Sequence, residues 1–442
     1  MRDIFVLAVV FGYLPSVLSK PWVGIYLWSW LGYMNPHRLA WGFAYNFPFA
    51  YIVALTIIAG LFFSNEPKKI PWTRESKTLL ILILWMVVTT FFAFYPALAW
   101  IEMEKVAKIQ LMVFITLILI TTQERINTLV WIIALSLGFY GVKGGIFTIL
   151  HGGTYHVWGP AGTFIGGNNE IALALIMTIP LMRYLQIQTT RHWVRIGLGV
   201  AMLLTSVSVI GSQSRGALLG ALAMGFFLWL KSRNKLFTGL TIVVAVLMVA
   251  LIMPKQWYER MDTIKTYDQD QSAMGRINAW TMAFNLAKDR PLVGGGFDTF
   301  KDDIFAVYAP DPGNVHDAHS IYFEMLGEHG FVGLFIFLAL GMMAWRTASG
   351  VIRRARQHPD DRWVADLAAM CQVSIIGYAV SGAFLGLSYF DLYYHLIALI
   401  VVSKVCLDKT RLEREQNKAP DAADQEPGTV NYRRGSPRPV KA

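Results

Sequence analysis

A short segment around residue 319 concentrates ionisable side chains of the types that transfer protons. Residues 314–330 read Asn-Val-His-Asp-Ala-His-Ser-Ile-Tyr-Phe-Glu-Met-Leu-Gly-Glu-His-Gly, with three histidines and three carboxylates. Histidine has an unperturbed pKa of about 6.5, so it can accept a proton at neutral pH. Because His319 directly precedes a long apolar stretch, we predict that it is a general base at a membrane surface.

The same cluster could instead hold a divalent metal ion, since imidazole and carboxylate groups are common metal ligands. His316, Asp317 and His319 are the ligands on offer, and no further ligand follows at the spacing of a motif such as His-Glu-x-x-His. We therefore expect no metal, and His316 stays a substrate-binding candidate.

The two carboxylates within the apolar stretch allow two interpretations. Glu324 and Glu328 are four residues apart, which places them on one face of a helix. Ionisable residues inside a membrane segment are costly and mark functional sites, so Glu328 is a substrate-binding candidate. Structural hydrogen bonds to neighbouring helices explain both carboxylates equally well, and we predict such buried polar links also for Lys143, Asp391 and His395.

Two arginines are candidates for binding a phosphate group. Arg215 lies in Ser-Gln-Ser-Arg-Gly, between two apolar stretches too close together for a long loop, and Arg276 opens a predicted amphipathic helix. The planar guanidinium group can bind two oxygens of a diphosphate at once. The alternatives are an arginine that reaches to the membrane surface from a helix end, and a solvated surface arginine.

A glycine-rich loop over residues 159–169 reads Gly-Pro-Ala-Gly-Thr-Phe-Ile-Gly-Gly-Asn-Asn. It lacks the Gly-Lys-Ser/Thr of a nucleotide-binding phosphate loop, so we expect no nucleotide cofactor.

The composition places these residues in a membrane protein. Hydrophobic residues make up 55% of the 442 residues, charged residues only 15%, and the mean hydropathy is +0.44. Apolar runs long enough to cross a bilayer, about 17–25 residues, predict eleven spans besides the N-terminal region. These spans cover residues 47–63, 78–95, 106–121, 128–150, 170–186, 196–211, 216–230, 236–253, 321–345, 365–385 and 389–405.

Lysine and arginine concentrate in alternate loops, which predicts that those loops are cytoplasmic. The opposite loops, residues 95–105, 151–169, 211–215 and 254–320, would then face the periplasm. Residues 254–320 contain seven Lys/Arg and ten Asp/Glu, a net charge of −3, although the whole chain carries +10. The positive charge therefore indicates topology and contact with anionic lipids rather than nucleic-acid binding.

The N-terminal region is constrained by the direction of the span at residues 47–63. Residues 3–18 and 22–36 should together make one crossing, which gives about twelve crossings in all. We predict a transmembrane domain over residues 1–405, including the long periplasmic loop, and a disordered cytoplasmic tail over residues 406–442, which are polar and without apolar periodicity.

The order of these motifs resembles the O-antigen ligase and polymerase superfamily. The resemblance comprises His319-Ser320 followed by Glu328 and Gly330, Arg215 within Ser-Gln-Ser-Arg-Gly-Ala, and Gly167-Asn168. Residues 33–38, Tyr-Met-Asn-Pro-His-Arg, and residues 41–45, Trp-Gly-Phe-Ala-Tyr, are similar to a subgroup described as O-glycosylation ligases. The resemblance to the superfamily covers residues 1 to about 405. Among the members of this superfamily, the ligases fit the sequence best.

The resemblance implies an all-α polytopic membrane protein with the GT-C glycosyltransferase fold, in the bacterial inner membrane with its active site facing the periplasm. It would be a metal-independent, inverting transferase without a cofactor. The donor would be an undecaprenyl-diphosphate-linked glycan and the acceptor a lipid A-core sugar hydroxyl. His319 would be the base, and Arg215 and Arg276 would bind the diphosphate. Asn168, His316 and Glu328 would complete the substrate site of a monomer.

Three other functions use the same features. A polymerase would take a second lipid-linked glycan as acceptor, and a protein O-oligosaccharyltransferase would take a serine hydroxyl. A transporter of lipid-linked glycans would use the arginines to carry a phosphate across the bilayer. Transporters usually place polar groups near the membrane midplane, whereas this chain concentrates them at one face.

Overall fold

A computed structural model describes residues 1–232, 234–255, 257–258 and 271–423 of the chain. Within these residues the protein is all helical, with no β-strand. The described residues form fifteen α-helices: α1 (Arg2–Ser19), α2 (Pro21–Met34), α3 (Phe49–Phe63), α4 (Arg74–Phe91), α5 (Pro96–Leu119), α6 (Gln123–Leu150), α7 (Asn168–Gln188), α8 (His192–Gly211), α9 (Arg215–Lys231), α10 (Lys235–Ile252), α11 (Gln271–Asp289), α12 (Asp302–Tyr308), α13 (Ile321–Ala355), α14 (Arg362–Ser381) and α15 (Asp391–Ala423).

Six helical segments of the described chain are long and apolar enough to cross a membrane: Arg2–Ser19, Gln123–Leu150, Asn168–Gln188, His192–Gly211, Ile321–Ala355 and Pro359–Phe384. A shorter apolar helix, Phe49–Phe63, adds to them. The prediction of an all-α membrane-embedded protein is confirmed at this level. The count of about twelve crossings and the GT-C architecture remain predictions.

The N-terminal region forms an antiparallel pair of helices, α1 and α2. The Arg2 guanidinium donates to the Leu39 carbonyl at 3.0 Å, and the Asp3 carboxylate accepts from the amides of Gly42 and Ala44, both at 3.1 Å. The start of α1 and the segment after α2 therefore lie at the same end of the bundle.

The single crossing of residues 3–36 stays a prediction, because of these residues only Arg2–Ser19 is long and apolar enough to cross a membrane. Pro21 occupies the first position of α2, where its fixed φ and missing amide hydrogen favour a helix start. The chain thus reverses at Lys20, and Gly24 packs closely on Val17 and Ile57 because it has no side chain. The structure therefore has two helices in this region, where the alternation of loop charges suggested one span plus a re-entrant or interfacial piece.

The glycines of α6 bring that helix into close contact with α8. A Cβ added at Gly145 would collide with the backbone of Leu204, and one at Gly141 would collide with Thr205. Small residues on one helix face let membrane helices approach closely. Lys143 lies on the opposite, exposed face of α6, so the prediction that it forms a buried link is wrong. His395 does form one, because its Nδ1 lies 2.8 Å from the hydroxyl oxygen of Tyr33.

The loops gather at two ends of the bundle. At one end, here called the site end, lie residues 92–95, 151–167, 212–214, 290–320 and 382–390, joined for example by the Phe94 amide donating to the Gly295 carbonyl at 2.9 Å. The other end, here called the basic end, holds the loops rich in lysine and arginine. The two predicted sets of loops are therefore separated as expected.

The helix α15 is longer than the apolar run that predicts it. It continues to Ala423, so the expected disorder does not begin at residue 406. Arg414 donates two hydrogen bonds to Asp361, at 2.7 and 2.8 Å, and Arg354 pairs with Asp408 at 2.7 Å. These ion pairs hold the polar extension of α15 against its neighbours. Residues 424–442 lie outside the described residues.

A backbone clamp fixes the segment before α12 onto α13. The amides of Gly295 and Gly296 donate to the carbonyls of Gly327 and Glu328, both at 2.8 Å, and the Phe331 amide donates to the Pro291 carbonyl at 2.9 Å. Gly330 interrupts α13 with φ 68° and ψ −173°, a conformation that is essentially restricted to glycine. The clamp therefore depends on glycine at this position.

We expect Gly330→Ala to lower the free energy of unfolding by about 3 kcal/mol, because the added Cβ is strained and collides with the Leu292 carbonyl. Thermal unfolding of the purified protein in detergent measures the change. Gly350→Ala is the matched control in the same helix, since no atom lies within 4 Å of its added Cβ. It should be neutral or stabilising by up to about 1 kcal/mol. Equal destabilisation by both variants would contradict the role of Gly330.

Candidate functional site

His319 lies in a short loop that is held by α11 and α13. Its backbone is left-handed, with φ 40°, which is uncommon for a residue other than glycine. The neighbouring Ala318 carbonyl accepts from the indole of Trp280 at 2.7 Å, and Trp280 stacks on Phe323 with ring centroids 5.1 Å apart. The two helices therefore fix where the half-buried imidazole stands at the site end.

The surroundings of His319 keep its ring neutral. Burial lowers the pKa of His319 below its ordinary value, and the charge of Arg276 lowers it further. Asp317 opposes this shift and His316 adds slightly to it. Because a lowered pKa means that protonation needs a more acidic solution, the imidazole can act as a proton acceptor at neutral pH.

Arg276 also interacts electrostatically with Glu170 in the first turn of α7. The Glu170 side chain folds back over Gly167, where a Cβ would collide with its carboxylate. One guanidinium group thus acts on both the start of α7 and the loop before α13. Sequence reasoning missed Glu170, although a glutamate three residues after a helix cap is a known signal of side-chain capping.

Asn168 joins the start of α7 to the turn that carries Arg215. Its side-chain amide donates to the Ser212 carbonyl at 2.9 Å. In the same turn Gln213 has φ 55° and donates to the Gly153 carbonyl at 3.0 Å. The Ser214 hydroxyl accepts from the Ala217 amide at 3.2 Å and so caps α9, whose first residue is Arg215. Arg215 therefore stands on a turn held from two sides.

The turn with Arg215 shares a neighbour with the helices around His319. A Cβ added at Gly216 would lie 2.8 Å from Cβ of Phe384. The Phe384 ring centroid lies 6.3 Å from that of Trp280, which holds the loop of His319. Packing through Phe384 thus connects the start of α9 with α11 and α13, and the site includes all three helices.

The starts of three helices meet at this site. Asn168 is the first residue of α7, Arg215 is the first residue of α9, and His319 is two residues before α13. The amide groups at a helix start are unpaired within the helix and favour an anion, as does the helix dipole. Together with the guanidinium groups, this arrangement is suited to an anionic ligand such as a phosphate or diphosphate.

The other members of the histidine cluster lie beside Arg276. A Cβ added at Gly275, the residue before Arg276, would collide with the His316 ring. His316 and Asp317 are both exposed, and the charge of Asp317 acts on Lys301 as well as on His319. No three His, Cys, Asp or Glu side chains in the described ranges lie close enough together to hold a metal ion.

Glu328 lies farther along α13 than the cluster. Its carboxylate is buried, accepts from the Asp298 amide at 3.0 Å, and also accepts from the Tyr389 hydroxyl. His329 lies beside it, with Nε2 at 2.8 Å from the same Tyr389 hydroxyl oxygen and Nδ1 at 2.7 Å from that of Thr89. These contacts bind α13 to its neighbours, and the substrate-binding role of Glu328 remains a prediction.

Glu324 makes a similar contact one turn earlier. Its carboxylate accepts from the amide and the hydroxyl of Ser388, at 2.9 and 2.6 Å. The Ser388 hydroxyl also lies 2.9 Å from the Ile321 carbonyl. Both carboxylates of α13 thus anchor the loop before α15, as the structural reading of the sequence predicted.

Two family models match the sequence. Residues 200–338 match the model described as O-antigen ligase, and residues 1–190 match a family of unknown function. The first match contains Arg215, Arg276, His316, His319 and Glu328, and the second contains Asn168. No curated protein matches the sequence. The resemblance drawn from the motifs is confirmed by the first of these matches.

Burial lowers the pKa of His319 most, and the charge of Arg276 should lower it further. We expect Arg276→Gln to raise the pKa of His319 because a nearby positive charge is removed, while burial still keeps this pKa below about 6.5. The rate at which diethylpyrocarbonate modifies His319 across pH, followed by mass spectrometry of the peptide, measures the change.

Lys288→Gln is the control for this measurement, since Lys288 is an exposed cation farther along the same helix. It should leave the midpoint of His319 modification unchanged. A midpoint that stays the same, or moves to lower pH, in Arg276→Gln would show that Arg276 does not act on His319.

Proposed function

We propose that this chain, whose residues 200–338 match the O-antigen ligase model, transfers a glycan from undecaprenyl diphosphate to a sugar hydroxyl of lipid A-core. The observation that carries this proposal is the placement of Arg276, which acts electrostatically on His319 and on Glu170 where α7 and α13 begin. A neutral base and a cation therefore stand together in one site, as transfer from a diphosphate requires.

In the proposed reaction, His319 accepts the proton of the acceptor hydroxyl. The acceptor oxygen forms a bond to the anomeric carbon of the donor, and the bond from that carbon to the diphosphate oxygen breaks. The electron pair of the broken bond leaves with the diphosphate, and His319 later releases its proton to water. A single displacement of this kind inverts the anomeric centre, and the lowered pKa of His319 keeps its ring ready to accept the proton.

The arginines would hold the leaving group. Arg215 and Arg276 can each bind phosphate oxygens with two parallel hydrogen bonds, and the starts of α7, α9 and α13 add unpaired amides. Negative charge on the diphosphate grows as the glycosidic bond breaks, so groups fixed in advance stabilise the transition state. A diphosphate is already a good leaving group, and the proposed step uses no metal ion and no nucleotide.

Donor binding would also improve the base. The positive charge of Arg276 lowers the pKa of His319 in the described site. A diphosphate bound to Arg276 offsets that charge, so the pKa of His319 rises and the imidazole becomes a better proton acceptor. The base would thus become stronger only when the donor is in place, which couples donor binding to activation of the acceptor.

The proposal also concerns the side of the membrane that the site faces and the identity of the acceptor. The site end would face the periplasm of the bacterial inner membrane, because the loops rich in lysine and arginine lie at the other end. The same donor site serves a polymerase with a second glycan as acceptor, or a protein O-oligosaccharyltransferase with a serine. The choice of acceptor is therefore the part of the proposal that experiment must decide.

We expect the purified protein to join the glycan of undecaprenyl diphosphate to lipid A-core, and not to a second lipid-linked glycan or to a pilin peptide. His319→Ala should lower the turnover by about 10²–10⁴-fold, the usual contribution of a general base. The wild-type rate should fall only as the pH drops below about 6.5, because the folded-state pKa of His319 is lowered. Gel mobility of the lipid A-core product measures each rate.

His151→Ala is the matched control, since His151 is an exposed histidine at the same end of the bundle. It should keep the wild-type turnover. Product formed only with a second glycan or with the peptide would replace the ligase proposal by polymerase or protein transfer. Near-normal turnover in His319→Ala would exclude it as the base.

Arg215→Ala and Arg276→Ala should each weaken donor binding by about ten- to hundredfold, because a hydrogen bond to a charged group contributes about 1.5–3 kcal/mol. Lysine at either position should restore part of the affinity, since it keeps the charge and loses the bidentate geometry. Calorimetric titration with undecaprenyl diphosphate and with undecaprenyl monophosphate separates binding of the diphosphate from binding of the lipid chain.

Both alanine variants should lose the preference for diphosphate over monophosphate. Lys288→Ala, an exposed cation on the helix of Arg276, should retain it. An unchanged preference in both arginine variants would remove these residues from the donor site.

A further inference from the structure

The basic end of the bundle contains a cleft between α7, α9, α10 and α14. Its volume is about 460 Å³, within the range of small-molecule sites in proteins. Four cations line it, Arg183, Lys231, Arg356 and Arg362, together with a single carboxylate, that of Asp366. The cleft lies at the end of the protein opposite to His319 and takes no part in the proposed transfer.

The positive charge of this cleft is only partly balanced by the protein. The Lys231 ammonium donates to the neutral side-chain amide of Gln372 at 2.8 Å, and Arg183 donates to the neutral amide of Gln186. The carboxylate of Asp366 accepts from the amide of Gln188 at 3.1 Å. Neutral side chains orient the two inner cations, and Asp366 acts electrostatically on Arg183. The described lining still holds more cations than carboxylates, so the cleft attracts an anion.

Several other cations at the basic end are paired with carboxylates. Arg125 binds Glu66 through two hydrogen bonds, at 2.9 and 2.7 Å. Arg354 and Lys404 share Asp408, each at 2.7 Å, and Arg414 binds Asp361. The cleft differs from these pairs because its described lining holds four cations and one carboxylate.

The cleft is amphipathic and lies level with the helix ends. Its wall includes the apolar side chains of Ile187, Leu228 and Met370. Lys231 is the last residue of α9 and Arg362 is the first residue of α14, part of a candidate membrane span. Cations at such positions stand where the phosphates of a bilayer lie.

The neighbouring helix α10 contributes Thr238 to the cleft. Its exposed apolar residues Leu236, Leu240, Val243 and Leu247 lie on the opposite face of that helix. An acyl chain that packs on the apolar wall of the cleft would leave its head group among the cations. A free anion in water would gain nothing from this wall.

We propose that this cleft binds the phosphate-bearing head group of an anionic phospholipid. The two inner cations, Arg183 and Lys231, bind the phosphate, and the two outer ones, Arg356 and Arg362, bind the rest of the head group. The shared chemistry is a phosphate ester. The apolar wall of the cleft selects a lipid over free phosphate.

Native mass spectrometry of the full chain in detergent tests this proposal with phosphatidylglycerol, phosphatidylcholine and inorganic phosphate as separate ligands. Phosphatidylglycerol should remain bound and phosphatidylcholine should not. The double variant Arg356→Gln/Arg362→Gln should weaken phosphatidylglycerol binding by about 25-fold, about fivefold for each charge removed. Both arginines are exposed, so the variant should fold.

Lys69→Gln/Lys77→Gln is the matched control, because both residues are exposed cations at the same end and neither lines the cleft. It should change binding by less than about twofold, since distant surface charges are screened. An equal loss in this control would mean that diffuse surface charge binds the lipid, which overturns the proposal.

Two results with the unaltered chain would also overturn it. If phosphatidylcholine binds as tightly as phosphatidylglycerol, the cleft does not recognise an anionic head group. If inorganic phosphate displaces phosphatidylglycerol at an equal concentration, the cleft is a site for free phosphate rather than for a lipid. These outcomes do not depend on glycan transfer.

Discussion

The charge of Arg276 is the interaction on which the site depends, because it acts on two elements that are distant in sequence. It lowers the pKa of His319 before α13 and interacts with Glu170 in the first turn of α7. Its position requires that α11 be held against α13. Trp280 supplies one contact, and the clamp around Gly330 supplies the backbone hydrogen bonds that follow α11. The protonation of His319 thus depends on the packing of α7, α11 and α13.

The two carboxylates of α13 contribute to stability, whereas the proposed chemistry uses other residues near the start of this helix. Glu324 binds Ser388, and Glu328 binds Tyr389 and the amide of Asp298, so both are engaged by the protein. A buried carboxylate without such partners would be costly. These contacts hold the loop before α15, whereas the proposed base His319 lies in the loop that precedes α13 and Arg276 lies in α11.

The membrane helices and the gathering of the site loops could be predicted from sequence, because apolar length and charge asymmetry are local properties of the chain. The path of α1 and α2 could not be predicted in this way. The argument from loop charges does not take into account that Pro21 starts a second helix. Glu170 escaped attention because Arg276, the residue it meets, belongs to a different helix. The partners of Glu328 were equally hidden, since a sequence shows a carboxylate and not its hydrogen bonds.

Helix dipoles act differently on the cations at the two ends of the bundle. Lys231 ends α9, where the partial negative charge of a helix stabilises a cation. Lys231 is therefore compatible with a stable fold whether or not a ligand is bound. Arg215 is instead the first residue of α9, where the dipole opposes a positive charge. An anion bound between that side chain and the helix start, as in the proposed donor site, would offset this effect.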